Sequence, residues 1–165
     1  MVPDYPLLTP PQENGNLDPM FKESVTLTIQ RPRDLAFEAL TDFEKLAEVV
    51  KSKVTVERVP DSPKKGVGAA YRIQTTMAAV EPIRCETTEW EPPRLAAFRL
   101  DIKDLPTTVS LQFEECVGGT RLTAEVCMEP KSVMYKMMLP MLSQKLKEEK
   151  ARAVKELEDR FDATA

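Results

Sequence analysis

Between Ile83 and Met128, apolar and polar residues alternate through successive segments, and the turns between them keep the phase. Folding the chain at Glu91-Pro92-Pro93-Arg94 sets Glu89 opposite Ala96, Thr87 opposite Phe98, Cys85 opposite Leu100 and Ile83 opposite Ile102. Folding at Lys103-Asp104-Leu105-Pro106 sets Leu100 opposite Val109, Phe98 opposite Leu111 and Ala96 opposite Phe113. Folding at Val117-Gly118-Gly119-Thr120 sets Phe113 opposite Ala124, Leu111 opposite Val126 and Val109 opposite Met128. A slip of one residue would move every side chain to the other face, so this agreement is a strong constraint. The other face carries Arg84, Glu86, Arg99, Asp101, Gln112, Glu114, Arg121 and Glu125, and Trp90 falls on it too. The pattern predicts an antiparallel meander with one wet and one apolar face. Val67–Thr76 extends it, with Tyr71 and Ile73 in the apolar phase.

An apolar sheet face needs a cover. Beyond Pro130 the chain is helical in pattern to about Phe161, with Tyr135, Leu139, Leu142, Leu146, Ala153, Leu157 and Phe161 as its stripe. Pairs such as Lys145–Glu149 and Glu148–Arg152 support its outer face. Pro140 predicts a kink or the true first turn, with Val133–Leu139 standing apart. Upstream, Ser24–Gln30 alternates as a strand and ends at Arg31-Pro32. Asp34 is placed to cap a helix over Leu35–Thr41, and Phe43–Val50 reads as a second short helix. Lys53–Val59 is β-branched and strand-like, and Pro60–Gly66 is a loop by composition. The architecture is α+β: one antiparallel sheet, two short helices after the first strand, and one long C-terminal helix.

Residues 1–23 stand outside this pattern. Pro3, Pro6, Pro10, Pro11 and Pro19 leave no helical or strand period, which predicts an extended or disordered arm ahead of a single domain over 24–162. The arm is either a passive tail or a segment that docks through Tyr5, Leu7, Leu8 and Phe21, on its own domain or on a neighbouring subunit.

The 165 residues contain no histidine, which excludes Ser-His-Asp and Cys-His catalysis and any imidazole metal site. Three separated cysteines do not supply the four ligands of a structural zinc, so neither metal nor cofactor is expected. A net charge of −4 and no basic stripe argue against nucleic acid as a partner. No uncharged run approaches the ~20 apolar residues of a membrane-spanning helix. Met1–Leu8 has neither the basic nor the apolar region of a signal peptide. With Cys85, Cys116 and Cys127 odd in number, the expected setting is the reducing cytoplasm, as a monomer or a homodimer.

Certain strings sharpen the picture. Val25-Thr-Leu-Thr-Ile-Gln-Arg-Pro32 followed by Leu35-Ala-Phe-Glu-Ala-Leu-Thr-Asp42 resembles the opening of the START-like (SRPBCC) superfamily. That superfamily includes polyketide cyclase/dehydrase-like proteins, the birch-pollen allergen family and lipid-transfer domains. Trp90-Glu-Pro-Pro-Arg-Leu95 resembles its proline-containing mid-sheet turn, and Gly118-Gly-Thr-Arg-Leu122 its late hairpin. The resemblance runs from about Ser24 to Phe161 and implies a helix-grip fold, a curved sheet wrapped around the C-terminal helix.

The resemblance further implies a cavity for a small apolar molecule between sheet and helix. In-phase residues expected to line it are Tyr71, Ile73, Cys85, Thr87, Glu89, Phe98, Leu100, Val109, Leu111, Phe113, Val126 and Met128. Met134, Met138, Met141 and Leu142 would join them from the helix, methionine suiting an adaptable apolar wall. Binding or transport of a lipid, polyketide or isoprenoid-like ligand is the leading expectation. The alternatives are a cyclase/dehydratase that moves protons with Glu89, Tyr71 or Thr87, and a co-chaperone-like interaction module.

Overall fold

The computed structural model describes residues 20–49, 54–75 and 81–163. Most of the expected N-terminal arm, residues 1–19, lies outside the described residues. The chain order is β1 (Phe21–Ile29), α1 (Arg33–Thr41), α2 (Phe43–Val49), β2 (Val54–Arg58), β3 (Ala70–Thr75), β4 (Ile83–Glu91), β5 (Leu95–Asp101), β6 (Thr107–Cys116), β7 (Gly119–Met128) and α3 (Val133–Ala163).

All seven strands form one antiparallel sheet in the order β1-β7-β6-β5-β4-β3-β2. β1 and β2 are therefore the two edges, and the α1–α2 pair carries the chain from one edge to the other. β1 begins at Phe21 opposite Met128, three residues before the alternation at Ser24 suggests, because it pairs with the whole of β7. Val25, Leu27 and Ile29 point inward, the latter two buried.

Helix α1 starts at Arg33 after Pro32, a residue with no amide hydrogen to leave unpaired. No side chain caps it, and Asp34 lies in the first turn rather than at the cap. The Thr41 hydroxyl donates back to the Phe37 carbonyl at 2.7 Å, and the Asp42 carboxylate accepts from the Lys45 amide at 3.2 Å, so α2 starts at once. Ala36, Phe37 and Leu40 bury one side of α1.

The meander keeps the expected faces but shifts its registers. In the β5–β6 and β6–β7 hairpins the pairing moves by two residues. Phe98 faces Val109 rather than Leu111, and Phe113 faces Leu122 rather than Ala124. A shift of two preserves the face, which the alternation controls; the turn length is controlled by local geometry. In the last hairpin only Val117 and Gly118 form the loop, and Gly119 is already in β7 opposite Cys116. Gly119 has φ +144, and a Cβ there would overlap the Ile29 carbonyl oxygen. The second glycine is thus needed where the end of β1 crosses β7, not in the turn.

The first hairpin differs more deeply. A bulge between Thr87 and Glu89 inserts one residue into β4, so Glu89 pairs with Ala97 and Trp90 with Ala96. Beyond the bulge the phase inverts: Trp90 turns to the inner side, and Glu89 is exposed. The expected inward Glu89 and outward Trp90 are both corrected. Burying an indole is favourable, whereas an unpaired carboxylate there would be costly.

On the wet face the charges pair as the sequence implies, with Arg84–Glu86 at 3.3 Å, Arg99–Asp101 at 3.2 Å and Lys22–Glu125 at 3.2 Å. Helix α3 is continuous through Pro140, contrary to a separate Val133–Leu139 turn. Pro140 is exposed, so its ring meets solvent.

Candidate functional site: an apolar cavity between sheet and helices

A cavity of about 540 Å³ lies on the inner face of the sheet. The sheet supplies Val25 and Leu27 from β1, Ile73 from β3, Cys85 from β4, Phe98 and Leu100 from β5, Val109 and Leu111 from β6, and Leu122, Ala124 and Val126 from β7. Leu40, Phe43 and Leu46 close it from α1 and α2, and Val154 from α3. The alternation of the sheet explains this wall: every second residue of four adjacent strands meets in one place.

The polar part of the lining comes from Glu23 and Ser24 of β1 and from Glu149, Lys150 and Glu156 of α3. The Lys150 ammonium donates to the Glu23 carboxylate at 2.8 Å and to the Ser24 carbonyl at 2.7 Å, tying α3 to the edge strand. That hydrogen bond holds the Glu23 carboxyl below its usual range. Glu149 and Glu156 are exposed, so this part of the lining meets solvent. Among the described residues the interior holds one titratable group, Cys85. Burial, with a smaller effect from Asp101, pushes its thiol up to about 12, so it stays protonated and unreactive at neutral pH.

A second cleft of about 710 Å³ lies on the far side of α1. Phe37, Thr41, Tyr71, Thr87 and Trp90 line it, with Asp42, Glu44, Arg58 and Lys65 among its charged residues. Edge-on aromatic contacts separate the two spaces: Phe43 against Phe98 at 4.7 Å and Tyr71 at 5.4 Å, and Phe37 against Trp90 at 5.0 Å and Phe113 at 5.2 Å. Burial, then the carboxylates of Glu44 and Asp42, raise the Tyr71 phenol above its ordinary value.

The residues singled out from the sequence thus divide. Ile73, Cys85, Phe98, Leu100, Val109, Leu111 and Val126 meet in the cavity. Tyr71 and Thr87 face the second cleft, because β4 and β3 pass beyond the aromatic wall there. Glu89 lines neither space, since the bulge turns it outward. Phe113 is fully buried beneath Phe37, and Met128 is buried at the β1–β7 pairing; both are packing residues rather than lining. Met134 and Met141 are exposed on α3, and Met138 is half-buried; none of the three lines the cavity. The side chain of Leu142 lies outside the described ones. The sequence reading did not include Leu40, Phe43, Leu46 and Val154. The helical spacing of the first three was visible, but which face of α1 and α2 meets the sheet depends on the crossing from β1 to β2, and Val154 falls outside the apolar stripe expected for α3. Among the described residues no group of three or more acidic or thiol side chains is placed to hold a metal. No helix among them is long and apolar enough to cross a membrane.

Residues 20–160 match the family model described as polyketide cyclase / dehydrase and lipid transport. The chain belongs to this family. No curated protein matches it. Among solved structures it is similar to Ara h 8.0201, with TM-score 0.69 and 12% identity over 88% of this chain and 99% of that one. It is similar to the Zhui aromatase/cyclase from Streptomyces sp. R1128, with TM-score 0.70 and 14% identity over 87% of this chain and 94% of that one. It also resembles the di-domain ARO/CYC BexL from the BE-7585A biosynthetic pathway, with TM-score 0.68 and 16% identity over 87% of this chain and 50% of that one. At these identities the likeness is one of fold, and the helix-grip architecture expected from the sequence is the one observed. A hydrophobic ligand-binding or polyketide cyclase-like function is what family and fold have in common.

Proposed function

We propose that this protein binds and carries a small hydrophobic molecule in the cavity between the sheet and the C-terminal helix. One observation carries the reading: an interior of about 540 Å³ walled mainly by aliphatic and aromatic side chains, its charged lining coming from edge strand β1 and helix α3. That volume is in the range of small-molecule sites, ~300–1,000 Å³, and apolar walls favour an apolar guest. Ile73, Cys85, Phe98, Leu100, Val109, Leu111 and Val126 are its sheet-side contacts. The protonated Cys85 thiol acts as a small apolar surface there.

Native mass spectrometry of the purified protein tests this, together with displacement of neutral 1-aminoanthracene by straight-chain alcohols. Retained apolar adducts, or saturable displacement that strengthens with chain length, are expected. Neither adducts nor saturable displacement would remove the carrier reading.

The cyclase/dehydratase reading keeps one specific support. Tyr71 and Thr87 share the second cleft with Asp42 and Glu44, so hydroxyls and carboxylates meet there. Catalysis by positioning, with Tyr71 as the proton donor, is the form it would take. Absence of turnover of a linear poly-keto thioester would eliminate it, and turnover that survives Tyr71→Phe would remove Tyr71 as its proton donor.

A further inference from the structure

The inner face of the sheet passes from the cavity into the second cleft. On β3, Ile73 lines the cavity and Tyr71 the cleft; on β4, Cys85 lines the cavity and Thr87 the cleft. The two residues of each pair are successive inward positions, about 7 Å apart along the strand, so both spaces share one floor. The wall standing on that floor is the corner between α1 and α2. Leu40, Phe43 and Leu46 line the cavity, whereas Thr41, Asp42 and Glu44 line the cleft. Phe43 stands at the boundary, its ring edge-on to Phe98 at 4.7 Å and to Tyr71 at 5.4 Å.

We propose that Phe43 is a partition that sets the longest guest the cavity accepts, and that removing its ring joins the two spaces into one groove. The inference rests on the carrier reading above. Local geometry makes Phe43 the thin part of the wall. The Asp42 carboxylate accepts from the Lys45 amide at 3.2 Å, so α2 opens at Phe43. A side chain in the first turn leans back toward the start of its helix, and here it meets Tyr71. Phe37, the other ring between the spaces, is 4% exposed and packed between Trp90 and Phe113. Phe43 is only half-buried, with the cavity on one side of it.

Position across the sheet gives the partition its consequence. Glu23 and Lys150 are bonded to each other at the β1 edge. Phe43 touches Phe98 of β5 and Tyr71 of β3, and β4 between them is separated from β1 by β7, β6 and β5. At ~4.8 Å per strand that is a span of ~19 Å. A guest that keeps its polar head beside Lys150 therefore runs its tail across the strands toward Phe43. Each methylene added to the tail is buried and tightens binding about fourfold. The gain stops where the tail meets the Phe43 ring.

Two titrations of the full chain and of Phe43→Ala test the proposal. Straight-chain alcohols of increasing length displace 1-aminoanthracene, and their ω-bromo counterparts are followed by Trp90 emission. Bromine quenches an indole it touches, and Trp90 lines the cleft but not the cavity. In the parent, affinity is expected to level off at a limiting chain length, with Trp90 emission unchanged by the bromo-alcohols. In Phe43→Ala the fourfold gain per methylene is expected to continue for about five further carbons, matching the ~7 Å from Cys85 to Thr87, and bromo-alcohols of those lengths quench Trp90. Leu111→Ala enlarges the cavity from β6 and is expected to leave Trp90 unquenched. An unchanged limit in Phe43→Ala overturns the proposal. So does a longer limit without quenching, because the tail would then only fill the place of the ring. Displacement by no alcohol in the parent is a separate result: it removes the carrier reading, and the partition with it. Should Phe43→Ala fail to fold, Phe43→Leu decides by the same two readouts.

Discussion

Replacing Gly119 by alanine puts a methyl group on a strand where β1 ends against β7. The added carbon would overlap the Ile29 carbonyl oxygen and stand 3.0 Å from both the Arg31 nitrogen and Gln30 Cα. All three are backbone atoms and cannot rotate aside. The end of β1 must move, which disturbs the Arg31 amide bond to the Ile29 carbonyl at 2.8 Å and the Thr120 hydroxyl bond to the Arg31 carbonyl at 2.7 Å. Two hydrogen bonds at about 1 kcal/mol each, with about 1–2 kcal/mol for the positive φ, give a loss of about 3–4 kcal/mol. Gly118→Ala is the matched control: φ is +90 and its Cβ meets nothing within 4 Å, so only the backbone term of about 1–2 kcal/mol applies. Urea unfolding measures both, and at a slope of about 2 kcal/mol/M the Gly119→Ala midpoint falls by about 1.5–2 M. Equal losses at the two glycines would refute the reasoning, because the crossing of β1 over β7 would then carry no weight.

Three further outcomes are expected. Leu111→Trp fills part of the cavity and weakens 1-aminoanthracene binding by about tenfold or more while leaving the unfolding free energy within about 1 kcal/mol of the parent; unchanged probe affinity would move the ligand elsewhere. Cys85 alkylates far more slowly than Cys116 in the folded protein and at the same rate in urea. Its raised pKa means its contribution to stability is full below the unfolded thiol value of 9.0 and is lost as pH rises toward about 12, so Cys85→Ala makes the alkaline decline shallower. Lys150→Met lowers the melting temperature at neutral pH. The depressed Glu23 carboxyl gives its stabilisation above the unfolded carboxylate range and loses it as pH falls through the folded value, so the difference from the parent shrinks in acid to what the Ser24 carbonyl bond contributes; a difference undiminished in acid would deny the ionic part of the strap.

What could be read from the residues follows the two-residue period of strands. Phe98, Leu100, Val109, Leu111 and Val126 were placed on the cavity side even though two hairpin registers moved, since a shift of two changes partners and not faces. Glu89 and Trp90 show where that rule stops. One inserted residue in β4 reverses the phase, and nothing in Thr87-Thr88-Glu89 announces a bulge. The methionines show a different limit. Their helical spacing is plain, but which side of α3 meets the sheet depends on tertiary contacts such as Lys150 with Glu23, which join residues 127 apart in the chain. Leu40, Phe43 and Leu46 were legible as helix stripes and became cavity wall only once β1 and β2 were found at opposite edges of the sheet.

The bulge in β4 also gives the protein a built-in optical reporter. Trp90 is the single tryptophan, and it stands behind Phe37, outside the apolar cavity. A guest seated against Leu111 does not touch the indole. Emission from this chain therefore follows the seating of α1 on the sheet and the filling of the second cleft. The two spaces can be read separately, one by a bound dye and the other by the protein's own light.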